Sequence, residues 1–159
     1  EKKKDLLETF KLVERDLGYK VVISISQSWK GPIENAKLLN NYLNENGCSS
    51  SLLIPRNHKE LEELLSTSKV VISQNLHGLI LAWRNNSSII ALNDRRKFKT
   101  FMDIIEKPQM LLPIKILDST KLFSLIVEAS NYENQSSQIN NLLIGKIEED
   151  FNNCLKNLN

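Results

Sequence analysis

Val70-Val71-Ile72-Ser73-Gln74-Asn75-Leu76-His77-Gly78-Leu79-Ile80-Leu81-Ala82 is the stretch on which the reading of this chain turns. Its first half is short and rich in β-branched residues, which suits a strand packed on both faces. Gln74-Asn75-Leu76 leaves almost no slack before His77 to Trp83, an apolar run with no polar interruption, read as a buried helix. Ser88-Ile89-Ile90-Ala91-Leu92 then reads as another strand. Strand, apolar helix and strand at this spacing predict a βαβ unit with parallel strands.

The same alternation extends outward. Leu6, Leu7, Phe10, Val13 and Leu17 recur at helical spacing and Gly18 is a stop signal. Lys20 to Ser26 reads as a strand, Gln27 to Pro32 as a loop, and Ile33, Ala36, Leu39 and Leu43 as a helix closed by Asn46-Gly47. Ser51 to Ile54 is a strand ended by Pro55, and Asn57 is placed to cap a helix from His58 to Leu65. Lys69 to Ser73 is the strand already quoted. Beyond Leu92, Phe98, Phe101, Ile104 and Ile105 predict a helix ending before Pro108, and Met110 to Leu117 an edge strand, kept from the sheet centre by Pro113. Ser119 to Ser130 and Gln138 to Leu158 read as helices, the second long and amphipathic. The predicted class is α/β, with one parallel sheet covered by helices on both faces. Residues 1–130 are expected to form the domain, and 131–159 a C-terminal helix packed on it or on a neighbour.

Composition bounds the function classes. The chain has 159 residues, enough for one domain with a real core. With 21 basic and 19 acidic residues its net charge is +2, which gives no reason to expect a nucleic-acid or membrane surface. No apolar run nears the roughly 20 residues of a bilayer span. Cys48 and Cys154 lie far apart without metal-ligand spacing, so neither a metal site nor a disulfide framework is expected. Reduced thiols and the lack of a signal peptide give a cytoplasmic expectation. A start at Glu1 rather than Met is what a processed product or an excised fragment shows.

In a parallel α/β sheet, ligands bind beyond the carboxyl ends of strands, often on helix N-termini. The loops after Ser26, Ile54 and Ser73 meet that description, and the third is the most informative. Ser73, Asn75 and His77 add polar side chains beside free helix-start amides, and Gly78 would admit a ligand close to the backbone. His77 could donate a hydrogen bond or a proton to an anion there, or could merely cap or underlie the turn. In the loop after Ser26, Trp29 offers a face for a sugar or base and Lys30 a charge, although Trp29 equally suits a core or interface cover. The cluster Arg95-Arg96-Lys97-Phe98-Lys99 follows the Ser88–Leu92 strand, again on the ligand side. It is either an anion site or a solvated helix start. His58 is read as inert, Glu60, Glu62 and Glu63 as a charged face, and Trp83 as core.

The stretch Val70 to Ala82 resembles a signature of the polysaccharide pyruvyl transferase family, in which a strand ends in Ile-Ser and Leu-His-Gly opens an apolar helix. A strand like Ile89 to Leu92 and a Lys-bearing segment like Lys97-Phe98-Lys99 follow in that family. The likeness runs in element order from about Lys20 to Pro108, and its specific part is short. It implies a Rossmann-like C-terminal half of a GT-B-type two-domain enzyme, with the missing N-terminal domain completing the cleft. It implies transfer of a pyruvyl group from phosphoenolpyruvate to a saccharide hydroxyl as a ketal, with no metal or organic cofactor. His77 would be the general acid or an anion contact, and Asn75 and Lys97 would contact the donor.

Two departures stand out. Many members have Arg directly before Leu-His, where this chain has Asn75, which cannot replace a bidentate cation. Asn85-Asn86-Ser87-Ser88 stands where members usually place Gly and Pro. Two other readings compete. One is the nucleotide-sugar-binding C-terminal domain of a GT-B glycosyltransferase, which usually shows a ribose-binding carboxylate that His77 to Trp83 lacks. The other is a degenerate, non-catalytic copy that binds or assembles.

Overall fold

Strands and helices alternate along the chain as the hydrophobic pattern predicts. The computed structural model describes residues 2–25 and 30–132. Helix α1 (Lys2–Leu12) runs into a π-helical turn (Val13–Leu17) and is followed by β1 (Val21–Ser24), α2 (Lys30–Glu45) and β2 (Ser50–Leu53). Then come α3 (His58–Thr67), β3 (Val70–Ser73), α4 (Leu76–Arg84), β4 (Ser88–Ala91), α5 (Arg96–Ile104) and α6 (Ser119–Asn131). The class is α/β, and both strand pairs are parallel. Val21 to Ser24 register with Ser50 to Leu53, and Val70 to Ser73 with Ser88 to Ala91. Each pair is joined by one helix, α2 or α4, so each is a βαβ unit. The expected second C-terminal helix, 138–158, lies outside the described residues.

The expectation of one sheet needs correction. Among the described residues the strands form two separate two-stranded ribbons, β1–β2 and β3–β4, with no ladder between them. Each ribbon buries itself on its own helices. α2 packs on β1 and β2, while α4 and α6 pack on β3 and β4. Among the described strands only β4 is largely buried, at Ile89, Ile90 and Ala91. Along β2 burial alternates instead. The register puts Val22, Ser24, Ser51 and Leu53 on one face. Val22 there is 42% exposed and Leu53 38%.

Two cores result. The larger gathers Ile90 and Leu92 from the β4 segment with Leu79, Phe98, Met102, Leu122 and Ile126 from α4, α5 and α6. Trp83 packs half-buried against it, edge-on to Phe101 with centroids 6.2 Å apart. The smaller joins Leu7 of α1 to Val21, Leu43 and Cys48. Burial pushes the Cys48 thiol up to about 11, with Glu14 adding to the shift. Helix α1 serves both cores. It is fastened to the start of α6 by Thr9, whose buried hydroxyl donates to the Asp5 carbonyl (2.8 Å) and the Ser119 carbonyl (3.3 Å). The Lys2 ammonium adds a bond to the Leu117 carbonyl at 2.6 Å.

Helix ends follow the sequence signals. Asn57 accepts from the Glu60 amide and Asp118 from the Lys121 amide, each an N-cap. Glu60 in turn accepts from the Arg56 amide at 2.9 Å, a capping-box pattern shifted by one residue. At the other ends a doubled backbone closure recurs. Cys48 N–H donates to Leu43 carbonyl around Gly47, Ser87 to Ala82 around Asn86, and Lys107 to Met102 around Glu106. Gly47, Asn86 and Glu106 all have positive φ, which glycine and asparagine tolerate and glutamate does not favour.

The predicted edge strand from Met110 to Leu117 is not formed. Pro108–Met110 and Ile114–Ile116 are 3₁₀ turns, and only a parallel bridge between Ala91 and Leu111 remains. Leu112 N–H reaches the Ala91 carbonyl at 2.8 Å, but the Pro113 carbonyl then accepts the Ile116 amide and the chain turns away from β4.

Candidate functional site

The carboxyl ends of β3 and β4 lie side by side, because Leu92 N–H donates to the Ser73 carbonyl at 3.0 Å. From there each strand turns directly into a helix. The loop after β3 closes on itself. The Ser73 hydroxyl donates to the Asn75 carbonyl and its oxygen accepts the Asn75 amide, both at 3.0 Å. Asn75 is the N-cap of α4, its side-chain oxygen accepting from the His77 amide at 2.9 Å, and its carbonyl takes the Leu79 amide. Of the four amides a helix start leaves over, those of Leu76 and Gly78 remain as donors at this edge.

The loop after β4 is tied to this one. The Asn93 side-chain amide donates to the Gln74 carbonyl at 3.2 Å, and its oxygen accepts from the Arg95 amide at 3.0 Å. Asn93 thus sets the start of α5 beside the start of α4, so two helix N-termini and their positive dipole ends share one edge. Asn93 was not singled out by sequence. An Asn just past a strand and two residues before a helix start is the signal that marks it.

The predicted residues divide into two groups. Ser73, Asn75 and Gly78 build the loop. Gly78 is buried, and a Cβ there would sit 3.0 Å from the Ser73 oxygen. Its bareness lets α4 approach the end of its own strand. His77 and Lys97 form the second group and stand in solvent. The His77 ring makes no hydrogen bond or ion pair among the described residues, so it does not cap the turn. Only its backbone amide is used. The Lys97 ammonium lies 5.8 Å from the Phe98 ring centroid and meets no carboxylate among those residues. Nor do Arg95, Arg96 and Lys99. Asp94, the nearest acid in sequence, pairs instead with Lys115 at 3.7 Å. The edge is therefore rich in cations that meet no carboxylate among the described residues. Asn93 joins the loops of His77 and Lys97, but no bond links the two side chains. Trp29 lies outside the described residues.

A groove of ≈ 440 Å³ opens elsewhere, between the end of β2 and α3, lined by Leu53, Ile54, Leu64, Arg56, Glu60 and Glu63 among others. None of the predicted site residues lines it. It follows the Ile54 loop, one of the three predicted ligand-facing loops. Its rim charges are partly satisfied, Arg56 pairing with Glu60 at 3.3 Å. His58, also on α3, pairs with Glu62 at 3.4 Å when protonated. Among the described residues no three His, Cys, Asp or Glu side chains lie close enough to hold a metal ion. No helix there is long and apolar enough to cross a membrane.

The departure at Asn85-Asn86-Ser87-Ser88 has a local explanation. Asn86 takes φ +62°, which closes α4 without glycine, and the buried Ser87 hydroxyl donates to the Leu65 carbonyl at the end of α3. A search of protein-family models, of curated proteins and of solved structures found no match to this chain.

Proposed function

We propose that the chain is the Rossmann-like C-terminal half of a GT-B-type polysaccharide pyruvyl transferase that works in the cytoplasm with an N-terminal partner domain. One observation carries the reading. Leu76-His77-Gly78 opens α4 at the carboxyl end of β3, with His77 exposed and its loop tied through Asn93 to the loop that leads into the cationic start of α5. Two parallel βαβ units in sequence support the Rossmann-like assignment.

In this reading phosphoenolpyruvate lies across the two helix starts. The amides of Leu76 and Gly78 and the Lys97 ammonium hold its anionic groups. His77 delivers a proton to the enolpyruvyl methylene, and a saccharide hydroxyl forms a bond to the adjacent carbon. The first hydroxyl's proton restores His77; a second hydroxyl then bonds to the same carbon as that carbon's bond to the phosphate oxygen breaks, and its proton leaves on the phosphate. Asn75 keeps α4 capped, and the anion contact that many relatives make through Arg at that position falls to Lys97, with Arg95 and Lys99 nearby. Trp29 is assigned to the saccharide.

Calorimetric titration of the 159-residue chain with phosphoenolpyruvate tests the assignment. Lys97→Ala removes a charge-assisted contact and is expected to weaken binding by roughly tenfold or more. His77→Ala is expected to weaken it less, and Glu63→Ala, in the separate groove, to leave it unchanged. Equal binding by wild type, Lys97→Ala and His77→Ala would remove the basis of the proposal.

A further inference from the structure

The two cores are unequal and are held together largely by one helix. In the smaller core the β1–α2–β2 unit contributes Val21, Leu43 and Cys48 as buried members, with Ile23, Leu39 and Tyr42 half-buried around them. Leu7 and Phe10, which complete it, belong to α1. The same helix and its π-turn send Leu6, Val13 and Leu17 into the larger core. Thr9 and Lys2 bind α1 to the segment around the start of α6, so α1 stays with the larger core. No backbone ladder joins β1 or β2 to β3 or β4 among the described residues. One face of the β1–β2 ribbon is left with Val22 and Leu53 in water. A segment with few buried apolar contacts and no shared ladder opens at a lower free energy than the core it leans on.

We propose that β1–α2–β2 is a lobe that opens as one unit from a body made of α1, α3 to α6 and the β3–β4 ribbon, while that body stays folded. Opening parts Val21, Ile23 and Leu43 from Leu7 and Phe10 and brings the Cys48 thiol into solvent. The device is a two-state element. A ligand touching both units holds it shut, and one that binds the freed face of α1 holds it open. The proposal does not depend on the pyruvyl transferase reading.

Native-state hydrogen exchange on the full 159-residue chain tests it. The expected result is two classes of amide. Those of Val21–Ser24, Leu39–Leu43 and Ser50–Leu53 share one opening constant, at least about tenfold larger than that of Ile89–Leu92 and Leu122–Ile126, with a shallower denaturant slope. Leu43→Ala should speed the first class at least about tenfold and leave the second within about twofold. One opening constant and one slope for both classes would overturn the proposal, as would equal acceleration of both by Leu43→Ala. If Leu43→Ala fails to fold, thiol labelling of Cys48 in the Cys154→Ser chain decides. Labelling at the lobe's opening rate supports the lobe, and labelling only at the global unfolding rate refutes it.

Discussion

The hydroxyl of Ser73 is the hinge of the β3–α4 corner. It holds the Asn75 amide and carbonyl, and Gly78 must be bare because a Cβ there meets that oxygen at 3.0 Å. In Gly78→Ala two effects compete. Alanine favours the helix by about 1 kcal/mol, and crowding a packed contact costs about 1–3 kcal/mol. The expected outcome is a net loss of stability. In a Ser73→Ala background the nearest atom becomes the Ser73 Cβ at 3.9 Å, an ordinary contact, so the same substitution should stabilise. A double-mutant cycle by urea unfolding reads this sign change, and Gly78→Ala acting alike in both backgrounds would refute it. The polarity of the corner was legible in the sequence, because Ser, Asn and Gly at a strand-to-helix turn have few other uses. Their division of labour was not legible. Sequence spacing does not say whether a glycine makes room for a ligand or for the neighbouring hydroxyl, nor which of Asn75 and His77 caps the helix.

At the scale of elements, the order of helices and strands followed from apolar period and stop signals, and the cap at Asn57 from residue type. What failed was pairing. Four-residue strands carry too little pattern to state which neighbour they bond, so a single sheet was expected where two ribbons form. The stretch from Met110 to Leu117 looked extended because it is apolar, but Pro108 just before it and Pro113 within it each start a 3₁₀ turn. The closures of α2, α4 and α5 share one geometry with different residues at the left-handed position. Gly47 and Asn86 suit it, and Glu106 at φ +57° does not. Glu106 is exposed, so replacing it disturbs no core. Glu106→Gly should therefore raise stability by up to about 1 kcal/mol, read as a higher urea midpoint at unchanged slope. An unchanged or lower midpoint would show that the turn is not strained by its side chain.

For the whole molecule, the separation of charge from packing decides the functional reading. The packed centre lies around β4. The cations Arg95, Arg96, Lys97 and Lys99, which meet no carboxylate among the described residues, cluster at the carboxyl edge, where two helix starts are joined through Asn93 and Gln74. The basic run and His77 were visible in the sequence. Their placement at the carboxyl edge followed from the parallel βαβ pattern, whereas the Asn93 side-chain bond that ties their loops is encoded by no periodicity. The groove beside α3 follows the Ile54 loop, which the sequence marked as ligand-facing, but the exposure of Leu53 and Ile54 in its lining was not legible, because they looked like an ordinary buried strand end. The most direct test of the proposed site is an amide NMR titration of the chain with phosphoenolpyruvate, run beside a nucleotide-sugar. The account predicts shifts at Leu76, His77, Gly78 and the first turn of α5 with phosphoenolpyruvate, and none there with the nucleotide-sugar. Shifts at those amides with the nucleotide-sugar alone, or no shifts there with either ligand, would contradict it.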